Sequence, residues 1–255
     1  MILMLATKSS FTKEKYKMLR NRKSLILVLV TGFLIAGCSS KSSTTGPGST
    51  APQLKAPQFS GPSSTSASAD TSAGAQMALA AAAEFNALSS GFMAYYVGSG
   101  THAGNSWTWT YSDNGLVATW TATTSSNGYN WSLVFNGTSG GTTYNNSTLL
   151  SGTESADGKS GNWTFYYPNS TTPEAAASWS TDGSGNITGT ILEYDTSGTL
   201  TAKWVFTDNV DKSGELVIYT DNVQTWDVKW NSNGSGTWVA YDPSTGAESN
   251  SGSWS

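Results

Sequence analysis

The residues able to do chemistry are few and widely spaced. The chain of 255 residues has one histidine, His102, and one cysteine, Cys38. A hydrolase triad needs a base beside a nucleophile. His102 lies in "GSGTHAGN", with no nucleophile motif around it, and reads as a solvated loop histidine. Paired carboxylates can hydrolyse glycosides. The candidates are Glu193 with Glu215, and Asp208, Asp211 and Asp227. Most stand in or beside turns, where an aspartate bends the chain through hydrogen bonds to its own backbone. "DNVDKSGE" (208–215) and "DGSGN" (182–186) are acidic but lack the ligand spacing of a calcium loop. A lone cysteine allows neither an intrachain disulfide nor a cysteine-based metal site. The expectation is a protein that is not an enzyme, with no cofactor and no metal.

The aromatic residues offer a different chemistry. All 11 tryptophans lie between Trp107 and Trp254. In "WTWTY" (107–111) Trp107, Trp109 and Tyr111 are two apart, so a strand points all three to one face. Trp120 in "GLVATWTAT" and Trp131 in "GYNWSLVF" continue the pattern. Such a face is first of all a core. Around a hollow, Trp107, Trp109, Trp120 and Trp131 would instead line a site for a lipid or other apolar ligand. A third use is a glycan platform on which flat rings stack. That use favours Tyr166, Tyr194, Tyr219 and Tyr241, which leave the aromatic face.

The elements that position these rings are hairpins. "SDNG" (112–115) and "SSNG" (125–128) separate alternating runs, and Asn-Gly tolerates the positive φ of a tight hairpin turn. Further turns at "ADGKSG", "TDGSGN", "DTSG", "DNVDKSG", "NSNGSG" and "DPSTG" bring the total to about 12 antiparallel strands. One pattern recurs four times: Gly161–Trp163–Tyr166, Gly189–Ile191–Tyr194, Gly214–Leu216–Tyr219 and Gly236–Trp238–Tyr241. Each copy is followed by a tryptophan: Trp179, Trp204, Trp230 and Trp254. Repetition at this period marks stacked hairpin units. Each tyrosine has opposite parity to the apolar residue three before it. Without a bulge the four tyrosines point away from the aromatic face, so either both faces are partly buried or the tyrosines decorate the outside.

"GNWTFYYPN" and "GTWVAYDPSTGAESNSGSW" resemble MORN-type hairpin repeats over about residues 161–255, although Ile191 and Leu216 stand where an aromatic is expected. The resemblance implies a scaffold or interaction module and assigns no functional residue.

Before the strands, "DTSAGAQMALAAAAEFNALSSG" (70–91) is alanine-rich and predicts a helix over 71–90. Met77, Ala81, Phe85 and Leu88 share a face. With Glu84 almost its only charge, the helix should be buried on more than one side. One helix, ~10–12 Å thick, cannot cover a sheet ~55 Å wide at ~4.8 Å per strand. The expected fold is therefore mainly β: a meander of about 12 strands curled into a barrel or half-barrel, with the helix on or in it. A β-sandwich or an open single-layer repeat sheet is the alternative. Short strands and the segment that follows argue against a transmembrane barrel.

"MLRNRKSLILVLVTGFLIAGCSS" (18–40) has a basic start, a 13-residue apolar run from Leu25 to Gly37, and small residues before Cys38. The run is short of the ~20 residues of a spanning helix. "LIAGC" (34–38) resembles the bacterial lipobox. The resemblance implies cleavage before Cys38, a diacylglycerol thioether on its sulfur, and acylation (palmitate or similar) of its new amino group. Ser39 and Ser40 resemble the outer-membrane rather than the inner-membrane sorting pattern. Residues 1–37 are thus expected to be a signal peptide, with Met18 as an alternative start. Residues 38–70, rich in Ser, Thr, Pro and Gly, are expected to be an acylated cysteine and a disordered tether. Residues 71–255 are expected to form one β-rich domain. "NGT" (136–138), "NNST" (145–148) and "NIT" (186–188) match glycosylation sequons, a reading that a bacterial export signal makes idle.

Charge narrows the partners. After Cys38 there are 6 lysines and no arginine against 16 acidic residues, a balance of −10. Such a chain cannot neutralise phosphates, which argues against nucleic acid and against anionic lipid headgroups. The partners that remain are the membrane through the lipid anchor, and an envelope protein, a lipid or a glycan. The expected role is a non-enzymatic binding or interaction module on the outer membrane, facing periplasm or exterior. A carrier or sensor with an apolar cavity, or a glycan-binding or glycan-acting surface protein, are the alternatives.

Overall fold

Alternating large apolar and small polar side chains produce thirteen strands in succession among the described residues. They are β1 (Thr101–Ala103), β2 (Ser106–Asp113), β3 (Leu116–Ser125), β4 (Gly128–Ser139), β5 (Thr142–Ser155), β6 (Ser160–Tyr166) and β7 (Pro173–Thr181), then β8 (Ile187–Tyr194), β9 (Leu200–Asp208), β10 (Gly214–Thr220), β11 (Val223–Trp230), β12 (Gly236–Tyr241) and β13 (Glu248–Trp254). Each pairs antiparallel with the next in one sheet. The computed structural model describes residues 51–55, 57–63, 73–91 and 100–255. The export segment 1–37, Cys38 and the remainder of 38–70 lie outside the described residues.

The expected turn chemistry is present. Asn114 and Gly115 take φ of 47° and 85° between β2 and β3, the double positive φ of a hairpin whose twist matches its strands. The register places large apolar residues opposite one another on one face. Trp109, Trp120, Leu133, Leu150, Phe165 and Ala175 form a continuous row across β2–β7, and all six are buried.

The sheet does not close. The strand order ends at β1 and at β13, and these two do not pair. The architecture is the half-barrel or open-sheet form of the expected meander, not the closed barrel. Closure is not required, because the segment before the helix adds apolar cover that a single helix lacks: Phe59 is buried against Phe85 and Phe206. Helix α1 (Ala73–Gly91) packs against β9–β13 through a seam of Ala78, Ala81, Ala82, Phe85 and Leu88. Small residues let it come close: a Cβ on Gly74 would stand 2.6 Å from Trp238 Cβ. Its other side, at Gln76, Ala80 and Ala83, is exposed.

The described residues from 51 to 63 are not a free tether. They form an extended strap on the aromatic face. Pro52, Phe59, Gly61 and Pro62 are buried, and Gly61 lies against Leu79 of α1. Composition gave little sign of this because one ring does most of the anchoring. Phe59 is the only aromatic residue between Phe33 and Phe85. The prolines lower the entropy lost when such a segment is ordered.

Candidate functional site: a groove that holds an extended segment

The site is built from three polar side chains on three different elements. Glu154, near the end of β5, accepts a hydrogen bond from the Lys55 backbone N–H at 2.6 Å. Asn86 of α1 pairs with both main-chain groups of Phe59: its Oδ1 accepts from the Phe59 N–H at 2.9 Å, and its Nδ2 donates to the Phe59 carbonyl at 2.9 Å. Asp208, the last residue of β9, accepts from the Ser60 N–H at 2.8 Å. All these bonds go to backbone, which any sequence presents. The strap crosses from β5 to β9, four strand spacings or ~19 Å at ~4.8 Å each.

The one aromatic side chain of the strap sits in a pocket. The Phe59 ring meets Phe85 edge-on, with ring centres 4.4 Å apart, and Phe206 at 4.8 Å. Its floor is Gly189 of β8, where a Cβ would lie 2.5 Å from Phe59 Cζ and 2.8 Å from Phe85 Cε2. The repeat explains this floor. Gly161, Gly214 and Gly236 each lie under an indole of the following strand, Trp179, Trp230 and Trp254, and a Cβ on any of them would overlap that ring. In the copy at Gly189 the tryptophan falls elsewhere: Gly189 faces Phe206, and Trp204 pairs with Ile191. The vacant glycine seat is filled by Phe59 of the strap.

The electrostatics differ along the groove. Glu154 is 3% exposed, and burial pushes its carboxyl up to about 7, against the opposing pull of the Lys55 N–H, the Lys55 charge and the Trp131 indole. The Lys55 ammonium reaches the Ala156 carbonyl at 3.3 Å. Beside this latch a cleft of ≈ 350 Å³ is lined by Asn127, Asn162, Ser160 and Trp179, among others. The Trp179 indole donates to the Gly158 carbonyl at 3.1 Å.

A second carboxylate group draws on α1, β7 and β8. Glu84 of α1 and Glu174 of β7 are both raised to about 7, first by burial and then by the charge of Glu193. The sequence reading paired Glu193 with Glu215. In the fold Glu215 lies elsewhere, 3.1 Å from Lys229, which also holds Asp227 at 3.0 Å. Asp208 clamps the strap. Asp211 caps its own turn through the Ser213 N–H at 2.9 Å, and Asp182 does the same with Ser184 and Asn186. Among the described residues no cluster of three or more His, Cys, Asp or Glu has the arrangement of a metal site.

The aromatic candidates separate by face. Trp107, Trp109, Trp120 and Trp131 are 5%, 2%, 0% and 2% exposed. They pack on one another: Trp107 stacks on Trp109 at 6.1 Å, Trp109 on Trp131 at 6.0 Å, and Trp120 meets Trp131 edge-on at 6.0 Å. His102 stacks on Trp107 at 4.6 Å. The four tyrosines face outward, each half-buried. Tyr166 shares a hydrogen bond with Ser151 at 2.9 Å, Tyr219 lies under the Lys203 ammonium at 5.5 Å, and Tyr194 and Tyr241 hold the same position in their hairpins. Cys38 lies outside the described residues.

The groove escaped the sequence because its clamps have no motif. Asn86, Glu154 and Asp208 are up to 122 residues apart in sequence. The one usable signal was the break in the glycine–tryptophan phase at Gly189. A scan against family models finds no match for the chain, and a search of the curated proteins finds none either.

Proposed function

We propose that the chain is an outer-membrane lipoprotein, anchored through Cys38, that acts as a non-enzymatic interaction module at the cell envelope by holding an extended peptide segment. The observation that carries this reading is the groove. Three polar side chains direct their hydrogen bonds at the main chain of Lys55, Phe59 and Ser60. Main-chain bonds give affinity and a side-chain pocket gives selectivity, which is the logic of extended-peptide recognition. The ligand class is an extended segment carrying one aromatic ring, and the resident ligand is the chain's own strap.

Two measurements test it. Cys38→Ala should move the protein from the membrane to the soluble fraction and abolish labelling by palmitate; retention of both would overturn the anchor. Full-length Phe59→Ala should bind a fluorescent peptide of residues 51–63 with Kd on the order of 10 μM, at least tenfold tighter than the wild-type chain, whose groove is filled. Equal binding to both, or none to either, would remove the peptide reading.

The outward row of Tyr166, Tyr194, Tyr219 and Tyr241 favours a second reading, a glycan-binding face. It predicts tyrosine or tryptophan quenching by polysaccharide that falls when Tyr219 and Tyr241 become alanine. No response across a glycan panel would dispose of it.

A further inference from the structure

We infer that the groove accepts the 51–63 segment of a second copy of this chain in exchange for its own, so that neighbouring copies link strap to groove. The inference rests on the reading of the groove as a peptide-holding site and adds the identity of the partner.

The resident strap fixes the chemistry of the occupant. It must offer the N–H groups of Lys55, Phe59 and Ser60 to Glu154, Asn86 and Asp208, and place a phenyl ring over Gly189. The same segment of another copy meets every one of these requirements. Exchange conserves each contact, so no interface energy is lost, and the balance between the two arrangements turns on connection and concentration. The connection to α1 is residues 64–72, nine residues of which eight are Ser, Thr or Ala. At full extension nine residues reach ~30 Å. Such a link gives the cis strap a high effective concentration, so dilute protein keeps its own strap. Copies held by lipid on one surface are crowded in two dimensions, which raises the competing term.

The test is complementation between two full-length variants in detergent. Phe59→Ala leaves a groove without its anchor. Gly189→Ala puts a Cβ where the Phe59 ring sits and so releases an intact strap; Asn86→Ala, which removes two clamps, is the second route to the same end. Each variant alone should run as a monomer by light scattering. An equimolar mixture should form heterodimer, at least tenfold more than either variant alone. A mixture no more associated than its components, with both variants native by far-UV circular dichroism, would overturn the inference. So would a dimer that persists when both copies carry Phe59→Ala. If the free 51–63 peptide binds Phe59→Ala while the mixture stays monomeric, the second copy is not the partner and the peptide reading stands. If the peptide also fails, both fall.

Discussion

Glu174 occupies a place that three other hairpins give to a hydroxyl. In each repeat unit the register slips by one just before the tyrosine, at Phe165/Tyr166, Glu193/Tyr194, Ile218/Tyr219 and Ala240/Tyr241. The unpaired residue on the returning strand is Glu174, Thr201, Thr225 or Ser249. Thr201, Thr225 and Ser249 each donate a hydroxyl to the carbonyl before the tyrosine: Glu193 at 3.2 Å, Ile218 at 3.2 Å and Ala240 at 3.1 Å. A carboxyl can supply that donor only when protonated, and burial holds the Glu174 carboxyl up at about 7. Glu174→Thr should therefore stabilise the protein at pH 8 by about 1 kcal/mol and change little at pH 5, read by calorimetry at both. A destabilised variant at pH 8 would show that the bulge does not want a hydroxyl. Thr225→Val should cost about 1 kcal/mol, because its bond is buried.

At the scale of elements, the repeat is a glycine seat and a ring that fits it. Gly214→Ala forces Cβ into the Trp230 ring and should cost about 1–3 kcal/mol. Gly183→Ala, where a Cβ meets nothing within 4 Å, should be nearly neutral in the same denaturant titration. Equal losses would mean that the seat has no role in packing. This half of the fold was legible in the sequence, because period-two alternation and Asn-Gly turns report on neighbours in the chain. Parity alone turned Tyr219 and Tyr241 away from Leu216 and Trp238, and gave Trp109 and Trp120 a one-sided strand face whose first reading is a core. The bulges were not legible: they displace Glu174 and Thr225 on the returning strand and leave the tyrosine's own parity intact. Nor was the strap, since Lys55 and Glu154 meet across 99 positions with nothing local to announce it. The site was hidden for the same reason.

For the whole molecule, three carboxyls set the response to pH, two buried (Glu154, Glu174) and one half-buried (Glu84). Glu84, Glu154 and Glu174 have an ordinary value of 4.5 and stand at about 7 in the fold. Their folded values are raised, so the native state binds more protons than the unfolded chain between about 4.5 and 7. The stability linked to them is fully present below 4.5 and is lost as pH rises through 7. The melting temperature should fall by on the order of 5 °C between pH 5 and pH 8; a rise over that range would contradict the placement of these groups. The strap adds a consequence in time. Every strand pairs with its immediate successor, so the sheet can zip from local contacts as it is made. The strap is the opposite case: Ser60 waits for Asp208, 148 residues later. In the export proposed for this chain, which runs from the N-terminus, the strap emerges before its seat exists. For that interval the incomplete sheet has a bare phenylalanine pocket and a loose segment that fits it, and copies emerging at one membrane bring many such pairs within reach of one another. The last step of folding is therefore also the step most open to error between chains.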